Sequence, residues 1–162
     1  METAWSNENS DFVPMIRALW NEQKNRELVY LEALKKDSMG SFRRVLSQGH
    51  VSAVLFQKEI RWIYDYFKCF LDDKDLADNQ IASKSALQTL ENLECKEDVA
   101  ACLKKIEAAT LQLYKTLRMY TEREIEVRRI LDEHLIRISE FYEALCKAEL
   151  GTRKNMTLTA AA

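Results

Sequence analysis

The sequence predicts an all-α domain built as an antiparallel four-helix bundle, with a short crossover helix between the second and third long helices. Apolar residues recur every three or four positions along four long segments, which is the period of one helix face. Only three glycines and one proline interrupt a chain of 162 residues, which leaves few sites for the turns of a many-stranded sheet. This length suits one ordinary domain, which we expect over residues 1–151.

The first helix is predicted over residues 12–36. Pro14 then falls in its first turn, where a backbone N–H has no intrahelical partner to lose. The apolar face of this helix carries two polar residues, Gln23 and Glu27. Its members are Val13, Ile16, Trp20, Gln23, Glu27, Tyr30 and Leu34.

The second helix is predicted over residues 41–71. The break at residues 37–40 is so short that this helix is expected to return antiparallel beside the first. Small Gly49 and Ala53 lie on its apolar face and allow a neighbouring helix to come close. The face consists of Phe42, Leu46, Gly49, Ala53, Phe56, Ile60, Ile63, Phe67 and Phe70.

The rest of the chain predicts a crossover and a second helical hairpin. A polar turn, DDKDLADNQ, is followed by a short amphipathic segment, which we interpret as a crossover with a small helix of its own. The third helix is predicted over residues 97–119. Thr121 and Glu124 fit a capping box, so a fourth helix is expected to begin there and to end at Gly151. Residues 152–162 lack an apolar period and are predicted to form a disordered tail.

The faces of the last two helices follow the same period. That of the third helix is Val99, Leu103, Ile106, Thr110, Leu113, Leu117 and Tyr120. That of the fourth is Glu124, Val127, Leu131, His134, Ile138, Phe141 and Leu145.

Charge and hydropathy exclude several classes of function. Twenty-four basic and 26 acidic side chains are interspersed and give a net charge of −2, so we expect no nucleic-acid partner. No run of about 18–20 apolar residues predicts a membrane span, and the polar, acidic N-terminus is unlike a secretory signal. We therefore expect a cytoplasmic protein without a membrane partner. The chain has no nucleophile-and-base motif and no glycine-rich phosphate loop, which favours a non-enzymatic protein.

The four cysteines are Cys69, Cys95, Cys102 and Cys146. They are widely spaced and form no CxxC pair, whereas a structural zinc site needs closer ligands. In a reducing compartment such thiols behave as small hydrophobes, so the sequence predicts buried free cysteines.

Polar residues on otherwise apolar faces are the candidates for a functional site, because a buried polar group costs free energy unless it finds a partner. Glu27, Glu59, Glu107 and His134 each lie near the middle of their own helix. Antiparallel packing brings helix midpoints to one level, so we expect these four side chains to converge. Carboxylate oxygens and an imidazole nitrogen suit iron, manganese or zinc, which predicts a metal site there. The other histidine, His50, is expected at the surface.

The same residues also have a purely structural interpretation. Glu59 and Glu107 sit at the borders of their faces and can turn outward, since carboxylates are usually solvated. His134 can be a neutral core histidine that is hydrogen-bonded to Glu27 or Tyr30. The sequence leaves both interpretations open.

With its helices placed, the chain resembles a ferritin-like family of uncharacterised bacterial proteins, which carry two helical hairpins separated by a short crossover helix. The resemblance covers residues 12–149. It rests on IRALWNEQKNRELVYLEALKK, on SFRRVLSQGHVSAVLFQKEI, and on SALQTLENLECKEDVAACLKKIEAATLQLYKTL leading into LDEHLIRISEFYEAL. It implies a ferritin-like bundle with a metal site.

Ferritin-like di-iron proteins use a lone glutamate from each of two helices and a Glu-x-x-His motif from each of the other two. Glu27 and Glu107 match the lone glutamates. Both paired motifs are broken, because Leu131 stands three residues before His134 and no histidine follows Glu59 at that spacing. The resemblance therefore implies a single-metal or vestigial site.

Two functions follow from these observations. The first is a ferritin-like metal-binding protein, which the resemblance links to iron or oxidative-stress handling. The second is a non-enzymatic helical interaction or oligomerisation module without metal. In either case we expect a homo-oligomer, a dimer, with exposed Trp5, Tyr64 and Tyr66 as candidates for the contact.

Overall fold

The computed structural model describes the backbone of residues 2–68 and 81–160, and the side chains of residues 12–66 and 86–150. Within these ranges the chain is all-α and has no strand, which confirms the predicted class. None of the helices described there has the length and apolar character of a membrane span. The elements are α1 (Glu2–Leu34), a 3-10 helix (Asp37–Phe42), α2 (Arg43–Lys68), α3 (Ile81–Glu91), α4 (Lys96–Met119) and α5 (Ile125–Ala160).

Helices α1 and α2 form an antiparallel hairpin. The Tyr30 ring packs on Gly49, while further along α2 the Gln57 amide donates a hydrogen bond to the Gln23 carbonyl at 3.4 Å. Partners therefore advance along α2 as they retreat along α1. The predicted close approach at Gly49 is confirmed, because a Cβ atom there would stand 2.5 Å from the Tyr30 ring.

Helices α4 and α5 form a second antiparallel hairpin. Lys104 pairs with Glu149 at 2.9 Å, and Tyr114, later on α4, contacts His134, earlier on α5. The hairpins meet where α1 packs on α4 and α2 packs on α5. A short helix, α3, is present between the second and third long helices, as predicted; it lies against α1 and contributes Leu90 to the core.

The core consists of two apolar clusters separated by a layer of buried polar side chains. On α1, one cluster extends to Trp20 and the other begins at Val29. Gln23 and Arg26 are buried between them. The other polar residues of this layer are Ser52 on α2, Glu107 and Thr110 on α4, and His134 on α5.

Both terminal helices are longer than the sequence predicts. Helix α1 begins at Glu2, so Pro14 lies inside the helix and not in its first turn. Helix α5 continues through Gly151 to Ala160, because an interior glycine costs only about 1 kcal/mol relative to alanine and does not force a helix to end. The predicted start of the first helix and the predicted end of the fourth helix were therefore wrong. The domain boundary at residue 151 and the disorder of residues 152–162 stay predictions.

The turn between α4 and α5 also differs from the prediction. The Thr121 hydroxyl donates to the Arg118 carbonyl at 3.1 Å, so it closes the end of α4 and does not cap α5. The backbone N–H of Glu124 donates to the Thr121 carbonyl, and α5 begins at Ile125. The capping box was wrong because a threonine hydroxyl can equally bond the carbonyl three residues before it.

Candidate functional site

A guanidinium group lies in the polar layer between the two apolar clusters. Arg26 is fully buried, and its Nε donates to Glu107 Oε1 on α4 at 2.7 Å. Its Nη1 donates to Gln23 Oε1 at 2.7 Å, and its Nη2 donates to Ser52 Oγ on α2 at 3.3 Å. A planar fork of N–H groups can serve several acceptors at once, so one side chain links three helices.

Aromatic rings surround the same guanidinium. The Arg26 Cζ atom lies 5.6 Å from the ring centre of Tyr30 and 5.8 Å from the ring centres of Phe56 and Phe141. A cation within about 6 Å of a ring is attracted to its negative face. The rings of α1, α2 and α5 therefore take the place of water around this charge.

The Arg26–Glu107 pair sets the electrostatics of the layer. Burial raises the pKa of Glu107, and the Arg26 guanidinium opposes that rise. Burial disfavours the charged guanidinium, but Glu107, Tyr30 and Tyr114 together outweigh this effect and raise the pKa of Arg26. Burial, followed by the charge of Glu107, raises the pKa of Tyr30 well above its usual value, so Tyr30 stays a neutral phenol. Neither Glu107 Oε2 nor the Tyr30 hydroxyl has a partner of hydrogen-bond geometry among the described residues.

A chain of hydrogen bonds runs from Arg26 to His134. The Gln23 amide accepts from Arg26 and donates through Nε2 to the Tyr114 hydroxyl at 2.8 Å. Tyr114 OH lies 2.8 Å from His134 Nδ1. Because the Tyr114 oxygen accepts from Gln23, its own hydrogen is free to point at Nδ1. This order assigns the hydrogen of the neutral imidazole to Nε2.

The chain of hydrogen bonds ends at His134, which lies between α2 and α5, just beneath the surface. Its side chain is only 1% exposed, and its ring stacks on Phe56 with centres 3.8 Å apart. Burial, and then the charge of Arg26, lowers the pKa of His134 to about 3, so the imidazole is neutral near pH 7. Nε2 lies 3.3 Å from Glu59 Oε1, but this contact lacks hydrogen-bond geometry.

Glu59 connects the buried layer with solvent. Its side chain is 41% exposed while its Oε1 faces the buried ring of His134. Burial and the charge of Glu133 raise the pKa of Glu59, and Arg129 opposes them. Two carboxylates and one neutral imidazole therefore share this edge.

The structure brings only two of the four predicted metal ligands together. Glu59 and His134 are neighbours, whereas Glu107 pairs with Arg26 and Glu27 accepts a 2.7 Å hydrogen bond from Gln57 Nε2. Among the described residues, no three His, Cys, Asp or Glu side chains are grouped as a metal site. Metal binding by Glu27, Glu59, Glu107 and His134 stays a prediction.

The structural interpretation of these residues was also partly wrong. Glu107 is fully buried and does not turn outward, because Arg26 supplies a buried counter-charge. His134 bonds Tyr114, and neither Glu27 nor Tyr30. His50 is half-buried, with Nδ1 3.0 Å from the Glu27 carbonyl, where a surface position was expected.

Sequence reasoning missed Arg26 and Tyr114. Arg26 lies three residues after Gln23 on the predicted face, but an arginine is ordinarily assigned to solvent. On α4 the predicted face was correct at Val99, Leu103, Thr110 and Leu117, which are buried. It was wrong at Ile106 and Leu113, which are half-buried while their neighbours Glu107 and Tyr114 are buried. One signal was available: Arg26 and Glu107 carry opposite charges, and each lies near the middle of its helix, at or beside the predicted apolar face.

An apolar surface runs along one face of α2. We call Val51, Leu55, Trp62 and Tyr66 the hairpin patch; their exposures range from 40% to 51%. Spacings of four and seven residues place the four side chains on one side of the helix. This is not the side that packs on α1, because Gly49 and Gln57 make that contact.

Other surface predictions had mixed outcomes. Tyr66 is exposed as expected, but Tyr64 is buried in the core, and the Trp5 side chain lies outside the described residues. Among the described cysteines, Cys102 and Cys146 are half-buried and Cys95 is exposed, so burial was wrong for Cys95. All three are free thiols; Cys69 lies outside the described residues.

Comparison of the chain with protein families, characterised proteins and solved structures found no match. The candidate functional features on the described residues are the polar layer, its edge at Glu59, and the hairpin patch.

Proposed function

We propose that this protein is a non-enzymatic helical interaction module that self-associates through the hairpin patch. The patch carries the proposal, because water-exposed apolar side chains grouped on one face are typical of a protein contact surface. Val51, Leu55, Trp62 and Tyr66 lie on one face of α2, and the rings of Trp62 and Tyr66 stack with centres 6.0 Å apart. A partner with the same face, a second copy of the chain, would remove these side chains from water.

The proposed architecture is a ferritin-like antiparallel four-helix bundle. Two antiparallel hairpins, the α1–α4 and α2–α5 contacts, and the crossover helix α3 support it. In a di-iron bundle the inward glutamates surround metal cations. Here Glu107 faces the guanidinium of Arg26, so the cation that compensates this carboxylate belongs to the protein itself. This favours a module whose centre is closed by side chains.

A ferritin-like role in binding iron, manganese or zinc, with a link to iron or oxidative-stress handling, is the second candidate. One observation favours it: the buried Nε2 of His134 faces the carboxylate of Glu59 without a hydrogen bond. A cytoplasmic location and the lack of nucleic-acid and membrane partners remain our expectations from the sequence.

Sedimentation equilibrium tests the interaction module. We expect the wild type to form a dimer and Leu55→Asp to be monomeric, because a buried unpaired carboxylate opposes the contact. Ile136→Asp is the matched control, since Ile136 is 62% exposed but lies on α5. A monomeric wild type, or a Leu55→Asp protein that dimerises as strongly as the control, would contradict the proposal.

A further inference from the structure

The hairpin patch has a symmetric order along α2, which decides how a second copy of the chain can dock. Lys58 and Glu59 lie at its centre, three and four residues after Leu55, and so on the same side of the helix. On either side of this central pair, the apolar residues of the patch stand three and seven positions away. The patch therefore has the same apolar spacing in both directions, with a basic residue on one side of its midpoint and an acidic residue on the other.

Both charges at the centre of the patch are accessible to a partner. Lys58 is exposed, and the side chain of Glu59 is 41% exposed. Burial and the charge of Glu133 raise the pKa of Glu59, whereas Arg129 opposes them. A further cation beside Glu59 would favour its charged form, because an opposite charge nearby stabilises a carboxylate. The Lys58 ammonium of a second copy is such a cation.

We propose that two copies of the chain pair through antiparallel α2 helices, about a twofold axis that passes between Lys58 and Glu59. This inference rests on the proposed self-association through the hairpin patch. In a twofold contact, every pair of facing residues occurs twice. The pairs formed about this axis are Lys58 with the partner's Glu59, Leu55 with the partner's Trp62, and Val51 with the partner's Tyr66. A parallel pairing would place each charge opposite its own copy, and facing like charges disfavour an interface.

A cavity beside Leu55 gives the partner's indole ring a place to enter. The cavity has a volume of about 220 Å³ and lies between α2 and α5, where Leu55, Phe56 and Arg137 form part of its lining. Small-molecule sites usually measure about 300–1,000 Å³, so this cavity suits one side chain better. Antiparallel pairing brings the partner's Trp62 to the level of Leu55. Its ring can then fill the cavity and meet the Arg137 guanidinium, which is attracted to an aromatic face.

Charge reversal followed by sedimentation equilibrium tests the pairing. Lys58→Glu and Glu59→Lys should each weaken dimerisation about tenfold or more, because each places like charges together at both central contacts. An equimolar mixture of these two variants should regain the dimer mass, since opposite charges then face each other again. The double variant Lys58→Glu/Glu59→Lys should dimerise as the wild type does.

Two further variants test the apolar contact and control for net charge. Trp62→Ala should weaken dimerisation about tenfold or more, because a tryptophan that enters a pocket of its partner commonly dominates the binding energy. Lys105→Glu is the matched control for Lys58→Glu: it makes the same change of charge at an exposed position on α4. We expect this control to dimerise as the wild type does.

A dimer that survives unchanged in both single charge variants, or a mixture of the two that stays monomeric, would overturn this pairing. If Leu55→Asp is nevertheless monomeric, self-association through the patch stands and only the antiparallel geometry is wrong. A monomeric wild type would overturn both proposals. Circular dichroism verifies that each variant is folded, and Lys58→Glu decides the matter if Glu59→Lys is not, because Lys58 is exposed.

Discussion

Arg26 shows how one residue can define the centre of a helical domain. A lysine ammonium is a compact point charge, whereas the guanidinium reaches Glu107, Gln23 and Ser52 in three directions at once. The desolvation penalty of a buried ion pair can equal its Coulombic gain, so the pair need not add net stability. Its consequence is specificity: only one register of α1 against α4 lets these groups meet.

This view predicts unequal effects of single and double substitutions. Arg26→Met should lower the free energy of unfolding by about 3–5 kcal/mol, because it leaves Glu107 buried without its counter-charge. Adding Glu107→Gln to Arg26→Met should recover part of that loss, since the second change removes the unpaired charge. Urea unfolding followed by circular dichroism at pH 7 measures both values. A double variant less stable than Arg26→Met would contradict the argument.

At the scale of the helix, the apolar period predicts where a helix lies in the sequence better than it predicts which side chains are buried or where the helix begins and ends. The four long helices and α3 could be located because their apolar faces persist over several turns. The burial of Glu107 and Tyr114 on α4 could not be predicted, since both bond partners on other helices and no local pattern encodes such a partner. The start of α1 at Glu2 and the end of α5 at Ala160 could not be predicted either, because these outer turns of the two helices carry no apolar period.

Gly49 is the position where the Tyr30 ring of α1 packs directly on α2, and its substitution tests the packing of the α1–α2 hairpin. Alanine favours a helix by about 1 kcal/mol over glycine, but its Cβ would stand 2.5 Å from the fully buried ring of Tyr30. Overpacking costs about 1–3 kcal/mol, so Gly49→Ala should be destabilising overall.

The effect of Gly49→Ala on stability should change sign when the Tyr30 ring is removed. In a Tyr30→Leu background we expect Gly49→Ala to be neutral or stabilising, because only the helix preference remains. Thermal unfolding of the two single variants and the double variant gives the coupling between the positions. Equal effects of Gly49→Ala in both backgrounds would show that the Tyr30 ring does not limit the approach of the helices.

For the whole molecule, the polar layer joins the two hairpins. Hydrogen bonds from α1 reach Ser52 on α2 and Glu107 on α4, and continue through Tyr114 to His134 on α5. Apolar contacts can slide with small changes in energy, but a buried hydrogen bond that is broken leaves its partner unsatisfied. The layer should therefore make α1, α2, α4 and α5 unfold as one unit, while α3 belongs to it only through its contacts with α1 and α4.

Native-state hydrogen exchange tests this unit directly. Amides of the four long helices near the polar layer should exchange with one common free energy, equal to that of global unfolding, and amides of α3 should exchange at a lower one. Arg26→Met should lower the common value equally in all four helices, because this side chain bonds Ser52 on α2, Glu107 on α4 and Gln23, whose hydrogen bonds lead on to α5. Ile136→Asp, at an exposed site on α5, should leave it unchanged. If Arg26→Met loosens α1 and α4 but leaves α2 and α5 protected, the hairpins are held together by their apolar clusters, and the polar layer sets their register without coupling their stability.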